Sequence, residues 1–430
     1  MGAARQRRTT RITDLDEPGG ANDGKGFREN SLGSAGRIIR GVPLGIYISV
    51  PFCRTKCSFC NFASDVFSRA VFDGYVKKVC AHIGAAQSLA AEMGGQFERE
   101  VDSIYLGGGT PSVLAADQLE ALFAAVRGNF AVAADAEVTV ECAPGTLTSP
   151  LIESLVRCGV NRVSLGVQSF VDAEAAAVGR LHKRSTVLDD IARLRAEGIA
   201  DINVDLIAGL PHQTADSWEF SLAEAIGLGV PHASVYMLEV DEDSRLGREL
   251  MAGGTRYHAH FVPDDGQMAD FYSVACERLD AAGIRQYEIS NFARTGSESK
   301  HNLKYWTRQP YLGFGVDAHS MLRSREDARQ AVRFAWPDQL EKFMAEGCVP
   351  EKTEVTLPEA LQEALFLGLR LNRGVAAMDL QREFDGASEQ YEKDFTELQE
   401  ARLLRRNNGS IALTPRGRLL SNEVFERFVK

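Results

Sequence analysis

Cys53, Cys57 and Cys60 stand in the segment Pro51-Phe52-Cys53-Arg54-Thr55-Lys56-Cys57-Ser58-Phe59-Cys60-Asn61-Phe62. Spacings of three and two residues let one loop wrap three thiolates around a single centre, and thiolates are soft ligands suited to zinc or iron–sulfur clusters. A structural zinc site takes four protein ligands. Only three are local here, and Cys80, next in the chain, falls on an expected helix. A 4Fe–4S cluster held by three cysteines leaves one iron open for a small molecule. A zinc site and a chance group of buried thiols remain alternatives. Arg54 and Lys56, inside the loop, are expected to lower the thiol pKa values. The remaining cysteines of the eight are scattered. With no export signal at the N-terminus, a reducing compartment is expected, where clustered cysteines indicate metal or redox chemistry more than disulfides.

Further polar and glycine signals follow β-rich segments. Gly107-Gly108-Gly109-Thr110-Pro111 comes after one such segment, and glycines permit a close backbone approach with amides that can hold a carboxylate. Glu141 ends the next, Gln168 follows another, and Asp205 lies in a fifth. In parallel α/β folds the C-terminal strand ends converge on one face, where sites form. Any one of these residues alone reads as a cap or a surface group; a series at successive strand ends reads as a site.

The elements that must position them alternate from about residue 44 to 325. Segments rich in Val, Ile, Leu or Tyr cover 44–50, 103–106, 137–141, 162–167, 202–207 and 233–238, as buried parallel strands do. Helical spacing lies between them, as over 114–126, where Leu119, Leu122, Phe123 and Val126 share a face. Strand–helix repeats of this kind predict a parallel sheet, open or curled into a partial (β/α)6 barrel. Beyond about 325 the pattern changes. Helices are expected over 358–371 and 388–404, and Asn408-Gly409 marks a hairpin turn. The expected organisation is a polar, disordered tail over 1–40, an α/β partial barrel over 41–325, and a winged-helix-like α+β module over 326–430.

Composition narrows the function classes. The 430 residues carry 48 basic and 59 acidic side chains, a net charge of −11, with 44% apolar and 25% charged residues. An acidic chain argues against general nucleic-acid binding, also for the winged-helix-like module. No run of about 18 apolar residues predicts a transmembrane helix. A cytoplasmic protein is expected, with membrane contact no more than transient.

The Cys-x3-Cys-x2-Cys loop after the first strand resembles the radical S-adenosyl-L-methionine superfamily. That resemblance implies that the amino and carboxylate groups of the cofactor chelate the open iron. One electron, from a low-potential donor, then cleaves the cofactor to methionine and a 5′-deoxyadenosyl radical. From about Ile46 to the C-terminus the chain is similar to the family of oxygen-independent coproporphyrinogen III oxidases and their relatives. The likeness implies that Tyr47 and Phe59 flank the cluster, that Gly108, Gly109 and Thr110 hold the methionine end of the cofactor, and that Glu141 takes its ribose. It places Gln168, Arg180 and Asp205 around a second cofactor molecule.

Within that family, two features resemble the heme-chaperone subgroup. Phe62 stands where the oxidases carry a fourth cysteine, and His301-Asn302-Leu303-Lys304-Tyr305-Trp306 matches the subgroup's His-Asn-x-x-Tyr-Trp signature. Taken alone, His301 reads as a loop cap and Trp306 as core filling. Imidazole ligates heme iron and aromatics pack on porphyrins, so the resemblance makes His301, Tyr305 and Trp306 heme-site candidates. Three departures affect the contacts. Glu141-Cys142-Ala143-Pro144 replaces Glu-Ala-Asn-Pro, Ser297 replaces a histidine, and Val316-Asp317 stands where the subgroup has x-Gly before Ala-His-Ser. The implied function is binding of a 4Fe–4S cluster, S-adenosyl-L-methionine and heme, with delivery of heme to apo-hemoproteins such as respiratory enzymes. The alternative is oxidative decarboxylation of coproporphyrinogen III, or another radical reaction on a tetrapyrrole.

Overall fold

The structure, a computed structural model, describes residues 41–242, 244–407 and 409–429. The expected tail over 1–40 and Asn408 of the expected turn lie outside these residues.

Six parallel strands form the heart of the molecule in sequence order: β1 (Leu44–Val50), β2 (Glu100–Gly108), β3 (Ala131–Cys142), β4 (Arg162–Gln168), β5 (Asp201–Ala208) and β6 (His232–Met237). Each crossover carries at least one helix, for example Ala116–Asn129 between β2 and β3 and Ala215–Gly227 between β5 and β6. The latter begins where Thr214 accepts from the Ser217 amide and the Ser217 hydroxyl bonds back, a reciprocal cap.

The strands alternate in a way that buried parallel strands ordinarily do not. Val163, Leu165 and Val167 are buried against helices, while Ser164, Gly166 and Gln168 face a cavity. Ile202, Val204 and Leu206 repeat the pattern against Asn203, Asp205 and Ile207. The outer face meets helix residues such as Leu122, Ile152, Ile191 and Leu222. Each fully buried aliphatic side chain there stabilises by roughly 1.5–3 kcal/mol. The inner face is polar because it lines a lumen. The barrel is therefore partial and does not close.

The sheet continues on both sides. Antiparallel to β6 runs β8 (Asn291–Ala293), followed by β7 (Arg285–Gln286) at the edge. On the other side β9 (Tyr311–Phe314) pairs in parallel with β1, then come β10 (His319–Arg323), β11 (Ala331–Ala335) and β12 (Glu351–Val355), antiparallel in turn. The large sheet thus runs past residue 326, where the change of unit is expected, to Val355. We place the boundary there.

After Val355 come helix Leu357–Leu369, β13 (Val375–Ala376), helix Ala377–Glu383, helix Glu392–Glu400, and the hairpin of β14 (Leu404–Asn407) and β15 (Ser410–Leu413). The order β13-β15-β14, two helices after the first strand and then the hairpin are a winged-helix arrangement, and helices Pro415–Leu419 and Ser421–Glu426 follow it. Gly409 closes the hairpin at φ 80°. Leu361, Leu365, Phe395, Leu398 and Ile411 form a separate core. No helix among the described residues is long and apolar enough to cross a membrane.

Candidate functional site

The cysteine loop leaves β1 at the C-terminal end of the sheet. Its neck is closed by Cys53 N–Asp65 O and Asp65 N–Pro51 O, both 3.0 Å, and the Lys56 ammonium donates to the Phe62 and Ser64 carbonyls at 2.7 and 2.6 Å. Thr55 and Ser58 tie the loop to Gly179 and Val178, beside Arg180. All three cysteines are free; Cys57 is buried and the others are half-buried. Burial pushes the Cys53 and Cys57 thiols up from 9.0, and the neighbouring cysteines' charges push the same way. Lys56 lowers both thiols as expected, but burial outweighs it, and Arg54 is not among the influences on either. Arg54 instead donates to the Gly145 carbonyl, and the effect of Lys56 is smaller than the desolvation. A metal centre must therefore displace the thiol protons. Among the described residues no three His, Cys, Asp or Glu side chains are gathered as one ion would need. A cubane takes its thiolates at separate corners and spreads them more widely.

Beside the loop runs the glycine segment. Gly108 has φ 96°, and a Cβ on Gly109 would lie 2.7 Å from the Val50 carbonyl and 2.9 Å from that of Phe52. The Gly109 and Thr110 amides donate to those same carbonyls, at 2.9 and 2.8 Å. The expectation that these amides are free for a carboxylate is thus not met. The glycines are required by the close approach of two backbones. Thr110 Oγ1 lies 3.6 Å from Cys53 Sγ.

Glu141 accepts from the Tyr105 hydroxyl at 2.8 Å. Burial, with the Asp205 charge adding to it, pushes its carboxyl up from 4.5 to about 7. Asp205 is held by Asn203 Nδ2 at 2.7 Å and Ser164 Oγ at 3.0 Å, and burial raises its pKa as well. Gln168 sits in the left-handed region at φ 69°, where the β4–β5 register shifts between Gly166 and Gln168. Such a bulge re-aims a side chain and stores strain at a site. A Cβ on Gly166 would come 2.9 Å from an Arg180 nitrogen and 3.2 Å from Gln168 Nε2. Glycine here admits both side chains to one spot.

One cavity of about 780 Å³ gathers these groups: the three cysteines, Phe59, Gly108, Gly109, Thr110, Glu141, Gln168, Arg180 and Asp205 all line it. Tyr47 stands just behind, its ring stacked on Tyr105 at 6.1 Å. Sequence reasoning missed Tyr105, Asn203, His232 and Ser234, which line the lumen too. Their signal is the polar residue at every second strand position. The wall presents buried polar atoms without a partner, Arg180 Nε and Thr139 Oγ1 among them. Three soft thiols, two carboxylates and an unsatisfied guanidinium fit a soft metal cluster with a zwitterionic small molecule beside it.

His301, Tyr305 and Trp306 are not in that wall. They lie on helix Lys300–Trp306, packed against the N-terminal halves of β1–β3, away from the cysteine loop. Lys304 donates to the Pro43 carbonyl and pairs with Asp102. Glu137 caps the helix by accepting from the Lys300 and His301 amides. His301 is 1% exposed. Its Nδ1 lies 3.0 Å from Ser103 Oγ and its Nε2 2.9 Å from the Tyr305 hydroxyl. Burial holds its pKa down, at about 3. The Arg370 guanidinium covers the Trp306 ring at 4.3 Å. Iron ligation by His301 would require one of its two hydrogen bonds to break.

Residues 47–225 match the family model of the radical SAM superfamily, and 355–420 match the HemN C-terminal domain. A solved structure of coproporphyrinogen III oxidase (HemN) from Escherichia coli superposes with a TM-score of 0.76, covering 90% of each chain at 23% identity. Fold and cysteine loop together define a radical SAM protein with a HemN-type C-terminal domain. The class implies a 4Fe–4S cluster and S-adenosylmethionine. The heme chaperone HemW of Bacillus subtilis is 35% identical over 390 residues, 89% of this chain and 98% of that protein. HemW of Synechocystis is 35% identical over 78% of this chain and 79% of its own length. The chain belongs to the HemW family.

Proposed function

We propose that this protein holds a 4Fe–4S cluster on Cys53, Cys57 and Cys60, binds S-adenosylmethionine beside it, and binds heme and delivers it to apo-hemoproteins such as respiratory enzymes. The convergence of three free thiols with Glu141, Gln168, Arg180 and Asp205 in one cavity carries this reading. The cluster, when bound, supplies an electron received from a low-potential donor. Phe59 and Tyr47 shield the cysteine loop from either side. Gly108, Gly109 and Thr110 set the distance between cluster and cofactor by letting β2 approach the loop. Glu141 accepts from the ribose, and Gln168, Arg180 and Asp205 hold a second polar ligand further along the lumen. We assign His301, Tyr305 and Trp306 to the floor of the barrel.

Heme is supported by the relatives, which are heme chaperones by name, and by Phe62. That side chain is 67% exposed at the rim of the cysteine loop, where the oxidases have a fourth cysteine. The test uses anaerobically reconstituted full-length protein. Hemin titration should saturate at one per chain, and an apo-hemoprotein should withdraw it. Incubation with coproporphyrinogen III and a low-potential reductant should leave the substrate unchanged; formation of protoporphyrinogen would overturn the chaperone reading in favour of the decarboxylase.

A further inference from the structure

The cavity runs from the cysteine loop to the winged-helix unit, and its far end carries groups that the reading above does not use. Three arginines in its wall have a buried Nε with no hydrogen-bond partner: Arg180, Arg370 and Arg418. A buried N–H left unpaired destabilises the fold that holds it. Arg180 belongs to the strand-end group. Arg370 and Arg418 come from the C-terminal unit.

Among the described residues Arg418 Nε has no hydrogen-bond partner, and no ion pair holds its guanidinium. Arg370 reaches Glu288 at 3.4 Å, a long contact, and lies over the Trp306 ring. Glu288, 0% exposed, gives one carboxylate oxygen to the Arg370 terminal nitrogen and the other to the Ser290 amide and the Asn291 side chain, which leaves Arg370 Nε without a partner. The two guanidiniums flank one turn: Arg370 pairs with Glu288, and Tyr272, beside Arg418, donates to the Ile289 carbonyl at 2.6 Å. Ile289, Leu419, Leu420 and the 43% exposed Tyr236 supply an apolar wall next to them. Glu423, on helix Ser421–Glu426, also lines the wall. Guanidinium forks match carboxylates in shape and charge.

We propose that Arg370 and Arg418 form a carboxylate-binding subsite at the winged-helix end of the cavity, taking the propionate arms of an iron porphyrin whose face lies on the Ile289–Leu420 wall. The assignment rests on the heme reading. It adds that the C-terminal unit selects the ligand by its acid arms.

The test compares hemin with its dimethyl ester, which keeps the iron and macrocycle and removes both negative charges. In wild-type full-length protein, hemin should bind at least tenfold more tightly than the ester, followed by the Soret shift. Arg418→Gln should weaken hemin about tenfold, about 1.4 kcal/mol, and leave the ester unchanged. Arg418→Lys should retain most of the preference. Arg370→Lys, which keeps Glu288 paired, should lose part of it. Equal binding of hemin and ester by the wild type, which needs no variant to fold, overturns the subsite while leaving heme binding intact. A preference that survives Arg418→Gln in a variant with wild-type melting does the same. Binding of neither porphyrin overturns the heme reading and the subsite together.

Discussion

Glu141 is a group whose ionisation the empty fold opposes. Its carboxyl is pushed from 4.5 to about 7, chiefly by burial and then by the Asp205 charge, against the opposing bond from Tyr105. The folded state therefore holds a proton that the unfolded chain releases between those values. Stability is fully present below about pH 4.5 and is lost as pH rises through about 7. The whole shift is worth about 3 kcal/mol. Glu141 is half-buried in the cavity wall, so roughly 2 kcal/mol is expected after screening. Glu141→Gln keeps the acceptor for Tyr105 and removes the ionisation. The apo variant should equal wild type in urea unfolding at pH 4.5 and exceed it by about 2 kcal/mol at pH 8, while S-adenosylmethionine binding at pH 8 weakens. A difference between wild type and variant that does not change with pH would refute the argument. So would a variant that is less stable at pH 8.

Cys57→Ala should abolish the visible absorption of an iron–sulfur cluster after anaerobic reconstitution while leaving the far-ultraviolet circular dichroism unchanged; metal analysis then shows iron lost, and zinc in wild type would contradict the cluster. Gly109→Ala places a methyl against two backbone carbonyls and should destabilise by about 1–3 kcal/mol and weaken cofactor binding. Gly128→Ala, in a helix with open space around it, should stabilise by roughly 0.5–1 kcal/mol. His301→Ala removes two hydrogen bonds and a ring stacked on Tyr105, so the melting temperature should fall, by about 3 kcal/mol of stability, with hemin stoichiometry kept. Because burial holds His301 neutral down to about 3, wild type loses stability as pH falls from 6.5 toward that value, and the variant should lose less.

The parallel strands and the cysteine loop were legible because their signals are local: a run of β-branched residues, a glycine turn, thiols at fixed spacing. Leu44–Val50 is found at the expected bounds. The strands after β6 were not legible. Arg285–Gln286 and Asn291–Ala293 are two and three residues long, too short to show a period, and they exist because β6 offers an edge. The lumen was half legible. Polar residues at strand ends were apparent, but Asn203, Ser234 and His232 read as interruptions of apolar strands until an inner face was available for them. His301 shows a further limit, since a sequence motif does not state whether a ring nitrogen is free. Here both are taken, by partners at positions 103 and 305.

The order of strands also sets an order of events in time. β1, which carries the cysteine loop, is flanked by β2 on one side and by β9 on the other. The second neighbour is made from residues 311–314, late in the chain. During synthesis Leu44–Val50 must wait, with one edge unpaired, while more than half of the chain is still to emerge, and long-range pairing of this kind is slow and prone to aggregation. The Tyr75 hydroxyl, which accepts from the Val316 amide and donates to the Ser49 carbonyl, locks the junction only then. A chain shortened before Tyr311 should leave β1 as an open, apolar edge and precipitate. The setting of the cysteine loop on a fully paired β1 is thereby completed only after translation of most of the large sheet.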